Sequence, residues 1–218
     1  DAIAGPAFRE IARLTRGAYC RFAPGAAQEL AELLRAVAAY AAGGLKALSD
    51  AGLALDFGGG PEQVQQLLTI TERIPDIRIV INHLPGARVP DDPAVRATWQ
   101  QQTRELAKRP HIYVKFSEIY QRVDERGRRV ATGGRIPRDL AFYKPRLDEI
   151  WETFGADRLM FASDWTNSEP MSTFGELLEL VHLYVSQKDP SAVEKLFWKN
   201  SLAAYRWKKR RANQPSLT

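Results

Sequence analysis

A single cysteine, Cys20, occurs in the 218 residues, so no intrachain disulfide can form and cysteine usage does not set a redox compartment. A thiolate zinc site is excluded for the same reason, because it needs several cysteines. Histidine is almost as scarce. His83, His111 and His182 are the full set, and neither His-x-His nor His-Glu-x-x-His is present. No apolar run approaches the roughly 18 residues that a membrane span requires. A signal peptide of the usual three-part form is also missing, which favours the cytoplasm as the compartment. Without Gly-x-Ser-x-Gly there is no nucleophile elbow for a serine hydrolase. Gly58-Gly59-Gly60-Pro61 is neither a P-loop nor a dinucleotide fingerprint, so it leaves a tight turn or a close backbone approach to a ligand.

What remains is a globular composition, 44% hydrophobic and 26% charged, in a chain long enough for one domain with a substantial core. Residues 1–218 are read as that single domain. The net charge of +5 owes much to Arg206, Lys208, Lys209, Arg210 and Arg211. Residues 206–218 are therefore read as a solvated basic tail, and no nucleic-acid module accompanies it. A small-molecule substrate is the expected partner, with no nucleic acid and no membrane, and with a homo-oligomer as the assembly. The chain opens on Asp1 rather than Met, which reads as a processed or truncated start.

Apolar runs alternate with helical patterns. Strands are expected near 17–22, 53–57, 77–81, 112–116 and 159–162. Helices are expected near 7–15, 26–50, 61–74, 93–108, 141–154, 172–187 and 190–205. Pro85-Gly86 marks a turn. Residues 121–139 are polar, rich in Arg and Gly, and read as a long functional loop. Alternation of this kind implies a parallel α/β sheet with right-handed crossovers. A closed barrel needs eight strands and about 250 residues, so an open sheet or a barrel short at its N-terminus fits the count of about five.

The organising stretch is Arg158-Leu159-Met160-Phe161-Ala162-Ser163-Asp164-Trp165, in which Leu159 to Ala162 reads as an apolar strand buried on both faces and followed by Ser-Asp-Trp. Other strands end in Asp56, in Asn82-His83, and in Lys115 with Ser117. In a parallel sheet these ends share one edge, where catalytic groups converge. Asp164 is the candidate base or metal ligand, with a helix N-cap as the alternative. His83 can bind a metal, polarise a carbonyl or move a proton. Lys115 offers a cation for an oxyanion or a substrate carboxylate, or else an ion pair with Asp56. Trp165 walls a pocket, stacks on a ring or sits in the core. Asn82, Ser117 and Asp56 complete the substrate-binding candidates. The metal candidates are His83 and Asp164, with Asp56 as a further option. From this chain alone they are too few for a complete zinc site. His111 and His182 read as structural or surface residues.

Four stretches carry a family resemblance. Ile79-Val80-Ile81-Asn82-His83-Leu84-Pro85-Gly86 resembles a strand ending in Asp-His-Leu-Gly. Ile112 to Ser117 is similar to a Val-x-x-Lys-Leu-Ser strand. Arg158 to Trp165 resembles Arg-Leu-Met-Phe-Gly-Ser-Asp-Trp, and Phe197 to Tyr205 resembles the closing helix. Together they resemble the amidohydrolase-2 group of TIM-barrel hydrolases, in the branch of sugar-lactone and pyrone-dicarboxylate lactonases, over about residues 16–207. The resemblance implies a (β/α)8 barrel, incomplete at its N-terminus because the group's opening His-x-His strand has no counterpart here. It implies opening of a lactone or related cyclic ester, with Asp164 activating water and His83 contacting metal or substrate. It implies either one divalent ion such as zinc or no cofactor at all, since members of the branch differ in this. Arg122, Arg126 and Arg128 would then help orient an acidic or hydroxylated substrate. An aromatic-acid decarboxylase of the same superfamily and a non-catalytic binding barrel are the alternatives. Asn82 departs from the usual Asp, and Thr166-Asn167 from the usual Pro.

Overall fold

The computed structural model describes residues 43–83 and 92–207. The elements expected over 7–15, 17–22 and most of 26–50 lie outside the described residues, as do Cys20, the Pro85-Gly86 turn and the tail beyond residue 207. Four strands are described: β1 (Ala54–Phe57), β2 (Arg78–Ile81), β3 (Ile112–Phe116) and β4 (Leu159–Phe161). They form one sheet in sequence order, and every neighbouring pair is parallel. Helices α1 (Val64–Arg73), α2 (Pro93–Ala107) and α3 (Leu140–Phe154) make the crossovers, and α4 (Phe174–Val185) follows β4. The chain then runs through Ala192–Glu194, a π-helical turn at Lys195–Lys199 and a last helix at Asn200–Tyr205. Among the described residues no helix is long and apolar enough to cross a membrane.

Helix starts follow local chemistry. Asp92 accepts from the backbone N–H groups of Ala94 and Val95 at the head of α2, and Pro93 fits the first helical position. Thr173 and Glu176 form a reciprocal capping box at the head of α4. Side-chain alternation divides each strand between two faces. Ile79, Ile81, Ile112, Val114, Phe116 and Leu159 pack outward against helix residues such as Leu67, Trp99, Leu147 and Leu180. Val80 and Met160 face the other way, where Ala204 and Tyr205 from the last helix meet them. Asn200 fastens that helix by donating to the carbonyls of Ala156 and Leu159, each at 2.7 Å.

On the outer layer Asp148 accepts from Lys144 (2.5 Å), Lys188 (2.8 Å) and the Tyr184 hydroxyl (3.0 Å). Burial alone would raise its carboxyl, but these three donors outweigh burial and hold it down at about 2. A carboxyl depressed on folding stabilises the protein above its unfolded value, and that stability is lost as pH falls towards 2. Asp148→Asn is therefore expected to cost about 1 kcal/mol at pH 7, after solvent screening. The difference should shrink as pH falls from 4 to 2. Urea unfolding across that range checks this, and a pH-independent difference would reject it.

The segment 121–139 is more ordered than a lid. Fully buried Val123 bridges antiparallel to both Arg129 and Arg135. Gly134 has φ +66°, and a Cβ there would strike the Val123 carbonyl, so the close approach requires glycine. Arg128 pairs with Asp124 at 2.8 Å, and Arg122 donates to the Pro170 carbonyl at 3.4 Å. These two arginines, expected to orient substrate, make contacts within the loop and to Pro170.

Candidate active site

Each of the last three strands turns out of the sheet on a residue with left-handed backbone. His83 (φ 62°) lies two residues past β2, Glu118 (φ 50°) two past β3, and Asp164 (φ 51°) three past β4. Non-glycine residues rarely adopt this conformation, and each costs about 1–3 kcal/mol. Arg206 is the fourth case among the described residues, at the end of the last helix. Such costs persist where the surrounding structure over-determines them, as at functional sites. Here they bring His83, Glu118 and Asp164 together: one nitrogen or oxygen from each lies within 4.8 Å of the others.

The supports around this group are specific. The Asn82 N–H donates to the Phe57 carbonyl at 2.9 Å, which extends the pairing of β1 and β2 up to His83. Ala162 N–H donates to the Phe116 carbonyl at 3.1 Å and does the same between β3 and β4. Beyond β4, the Ser168 N–H reaches the Asp164 carbonyl (3.0 Å) and the Ser168 hydroxyl reaches the Ser163 carbonyl (2.9 Å). Asn167 donates to the Asp164 carboxylate at 3.3 Å.

The expected site residues divide into two sets. Ser117 is completely buried, and its hydroxyl lies 3.0 Å from His83 Nδ1, so it stands behind the imidazole and orients it. Asn82 adjoins His83 and has a buried side-chain oxygen with no hydrogen-bond partner. Asp56 and Lys115 are brought to each other: the Lys115 ammonium contacts Asp56 at 2.5 Å, and the Tyr205 hydroxyl donates to the same carboxylate at 2.9 Å. Burial alone would lower the Lys115 ammonium, but hydrogen bonds to Asp56 and Tyr205 outweigh it and keep the lysine above its ordinary value. The ion-pair alternative for Lys115 is thus the one observed, and Asp56 is not in the group with His83 and Asp164. Trp165 is 42% exposed with its ring edge-on to Phe174 at 6.1 Å, so it is not a core residue.

The other two histidines lie elsewhere. His111 gives its backbone carbonyl to Ile79 at the opposite end of the strands, and the His182 ring packs near Phe197. Glu118 is the residue that sequence reasoning missed. Its one signal is an offset, two residues beyond its strand as His83 is beyond its own.

One imidazole and two carboxylates at this spacing are a suitable donor set for a divalent cation with N/O preference. His83, Glu118 and Asp164 are the residues that would hold it.

A parallel β/α sheet with acid and imidazole groups at its C-terminal edge is the arrangement of α/β-barrel enzymes. The chain belongs to the amidohydrolase family, whose model matches residues 9–207. Its fold is the amidohydrolase-type barrel, of which four strands are described. Among curated proteins it is similar to an L-fucono-1,5-lactonase of Burkholderia multivorans, with 26% identity over 156 residues (65% of this chain and 50% of the relative). An L-fucono-1,5-lactonase of Burkholderia ambifaria is 31% identical over 124 residues, which cover 57% of this chain and 38% of that protein. The chain thus spans half or less of the length of these two relatives. Among solved structures, an amidohydrolase from Burkholderia multivorans with bound zinc superposes with a TM-score of 0.63 at 23% identity, covering 76% of this chain and 56% of that one. Amidohydrolase 2 from Bifidobacterium longum subsp. infantis gives 0.53 at 22% identity, covering 76% and 54%.

Proposed function

We propose that this chain carries the catalytic edge of a hydrolase that opens a lactone or related cyclic ester, with Asp164 as the base. The observation behind this reading is the convergence of Asp164, His83 and Glu118 within 4.8 Å at the strand ends. Relatives named as lactonases support the substrate class. Asp164 takes a proton from water, and the oxygen attacks the ester carbonyl. The ring C–O bond then breaks, and the Asp164 carboxylic acid returns the proton to the leaving alkoxide. His83, held at Nδ1 by Ser117, presents its other edge to the developing oxyanion. The bound zinc of the Burkholderia multivorans amidohydrolase supports a divalent cation for this chain; held by His83, Glu118 and Asp164, it would polarise the carbonyl and make water a stronger nucleophile.

The test is a panel of sugar lactones and pyrone-type cyclic esters, followed by pH-stat on the protein isolated from its source. The expected result is release of one proton per ring opened, since the product is an ionised hydroxy acid. Carbon dioxide evolved from an aromatic acid, with no lactone opened, would replace this reading by a decarboxylase.

A further inference from the structure

We infer that Arg78 and Arg206 form a binding site for one small oxyanion, a phosphate or a carboxylate, at the end of the sheet opposite His83, Glu118 and Asp164. Arg78 opens β2, whereas His83 lies five residues further on, about 16 Å away at the rise of a strand. The site is therefore separate from the proposed active site and does not depend on it.

Arg78 is 5% exposed. It leaves the sheet on the same face as Val80, two residues along the strand. Its Nη2 donates to the Gly52 carbonyl, but Nε and Nη1 are shut off from solvent with no acceptor. A guanidinium keeps its charge at any ordinary pH, and such a charge is rarely buried without a partner. Arg158, which enters β4 at the same end of the sheet, shows the ordinary solution. Its Nε and Nη1 donate to the carbonyls of Phe154, Ala107 and Arg109. Arg78 has one carbonyl, and among the described residues no carboxylate pairs with it.

Arg206 brings a second guanidinium to the same place. Its Nη1 comes within 3.3 Å of where a Cβ on Gly52 would stand, so the two arginines meet at one glycine. Arg206 is exposed, ends the last helix on left-handed backbone (φ 50°) and likewise has no carboxylate partner among the described residues. Two like charges that converge on one residue repel unless an anion lies between them. A water could accept from Nε and Nη1 but would leave the charge in place. An oxyanion meets both needs, and guanidinium is the side chain best matched to it. Because Nε and Nη1 are sealed as the side chains stand, uptake requires a shift, and the exposed Arg206 is the group placed to move aside and close over the ion.

The experiment is a thermal-unfolding titration of the full chain with inorganic phosphate and, in parallel, with acetate, at constant ionic strength. At saturation one or both are expected to raise the wild-type Tm by about 5 °C or more. Arg78→Met removes the charge and keeps an unbranched side chain. It is expected to be at least as stable as the wild type in buffer without phosphate or acetate, and to lose the anion response. Arg206→Asn keeps a residue tolerant of left-handed backbone and is expected to weaken the apparent anion affinity by about tenfold. General salt effects on stability act on all three proteins alike and cancel in the comparison. A wild type that responds no more than Arg78→Met overturns the inference. If Arg78→Met does not fold, equal responses of the wild type and Arg206→Asn overturn it instead. A response to phosphate alone narrows the ligand to a tetrahedral oxyanion and one to acetate alone to a carboxylate, and either supports the site.

Discussion

Asp164→Asn is expected to lower kcat by about 10²–10⁴-fold while the protein stays folded, the range that a positioned general base contributes. The substitution suits the purpose because asparagine is nearly isosteric and tolerates left-handed backbone better than most residues, so the φ of 51° is not a new burden. The amide oxygen can still accept from Asn167, and the Ser168 contacts to the backbone of this turn do not involve the side chain. What disappears is the capacity to take a proton and one negative charge opposite Glu118. Steady-state kinetics on the most active lactone, with circular dichroism as the fold control, decide it. An unchanged kcat would remove Asp164 from the chemistry altogether.

The largest effect on stability is expected at Phe116. Its side chain is completely buried, lies 5.9 Å from the Tyr184 ring and meets Trp151 edge-on at 6.5 Å. Truncation to alanine removes a ring from the middle of the sheet–helix layer and leaves a cavity that aromatic neighbours cannot easily collapse into. The expected cost is about 3–5 kcal/mol, against a total stability on the order of 5–15 kcal/mol for a typical domain. Urea denaturation should show the midpoint falling sharply with the m-value unchanged. A loss below about 1 kcal/mol would mean that the layer repacks around the gap. Because Ser117 and Glu118 follow Phe116 directly, the same variant should also loosen the donor group at the site.

The strand–helix alternation was legible because apolar runs such as Ile79-Val80-Ile81 and Leu159-Met160-Phe161 have few other uses. Their two-sided burial also hid which residue faced which way, since a run without polar alternation carries no phase. That is why the sequence left open whether Lys115 meets a substrate or pairs with Asp56: only the register of β1, β2 and β3 shows the two meeting across the intervening strand. Glu118 was hidden for a related reason. It lies beyond the strand, outside any periodicity, and a left-handed glutamate has no sequence signature of the kind that glycine gives. Asp164 and His83 stood out because an ionisable group at the end of a buried strand is unusual in itself. Trp165 did not declare its position, because an aromatic after a strand suits a core, a pocket wall or an exposed surface equally well.

The contact of Tyr205 with Asp56 closes a span of 149 residues. As the chain leaves the ribosome, β1, β2 and β3 are all complete long before Tyr205 is made, so Lys115 and Asp56 must first find each other without it. Among the described residues, the face of the sheet that carries Val80 and Met160 is therefore covered last, by the helix that brings Ala204 and Tyr205. Contacts of such long sequence separation slow folding, because loop entropy is spent before they form. A chain that stops short of the last helix would lack the Ala204 and Tyr205 contacts to Val80 and Met160, together with the Tyr205 hydrogen bond to Asp56.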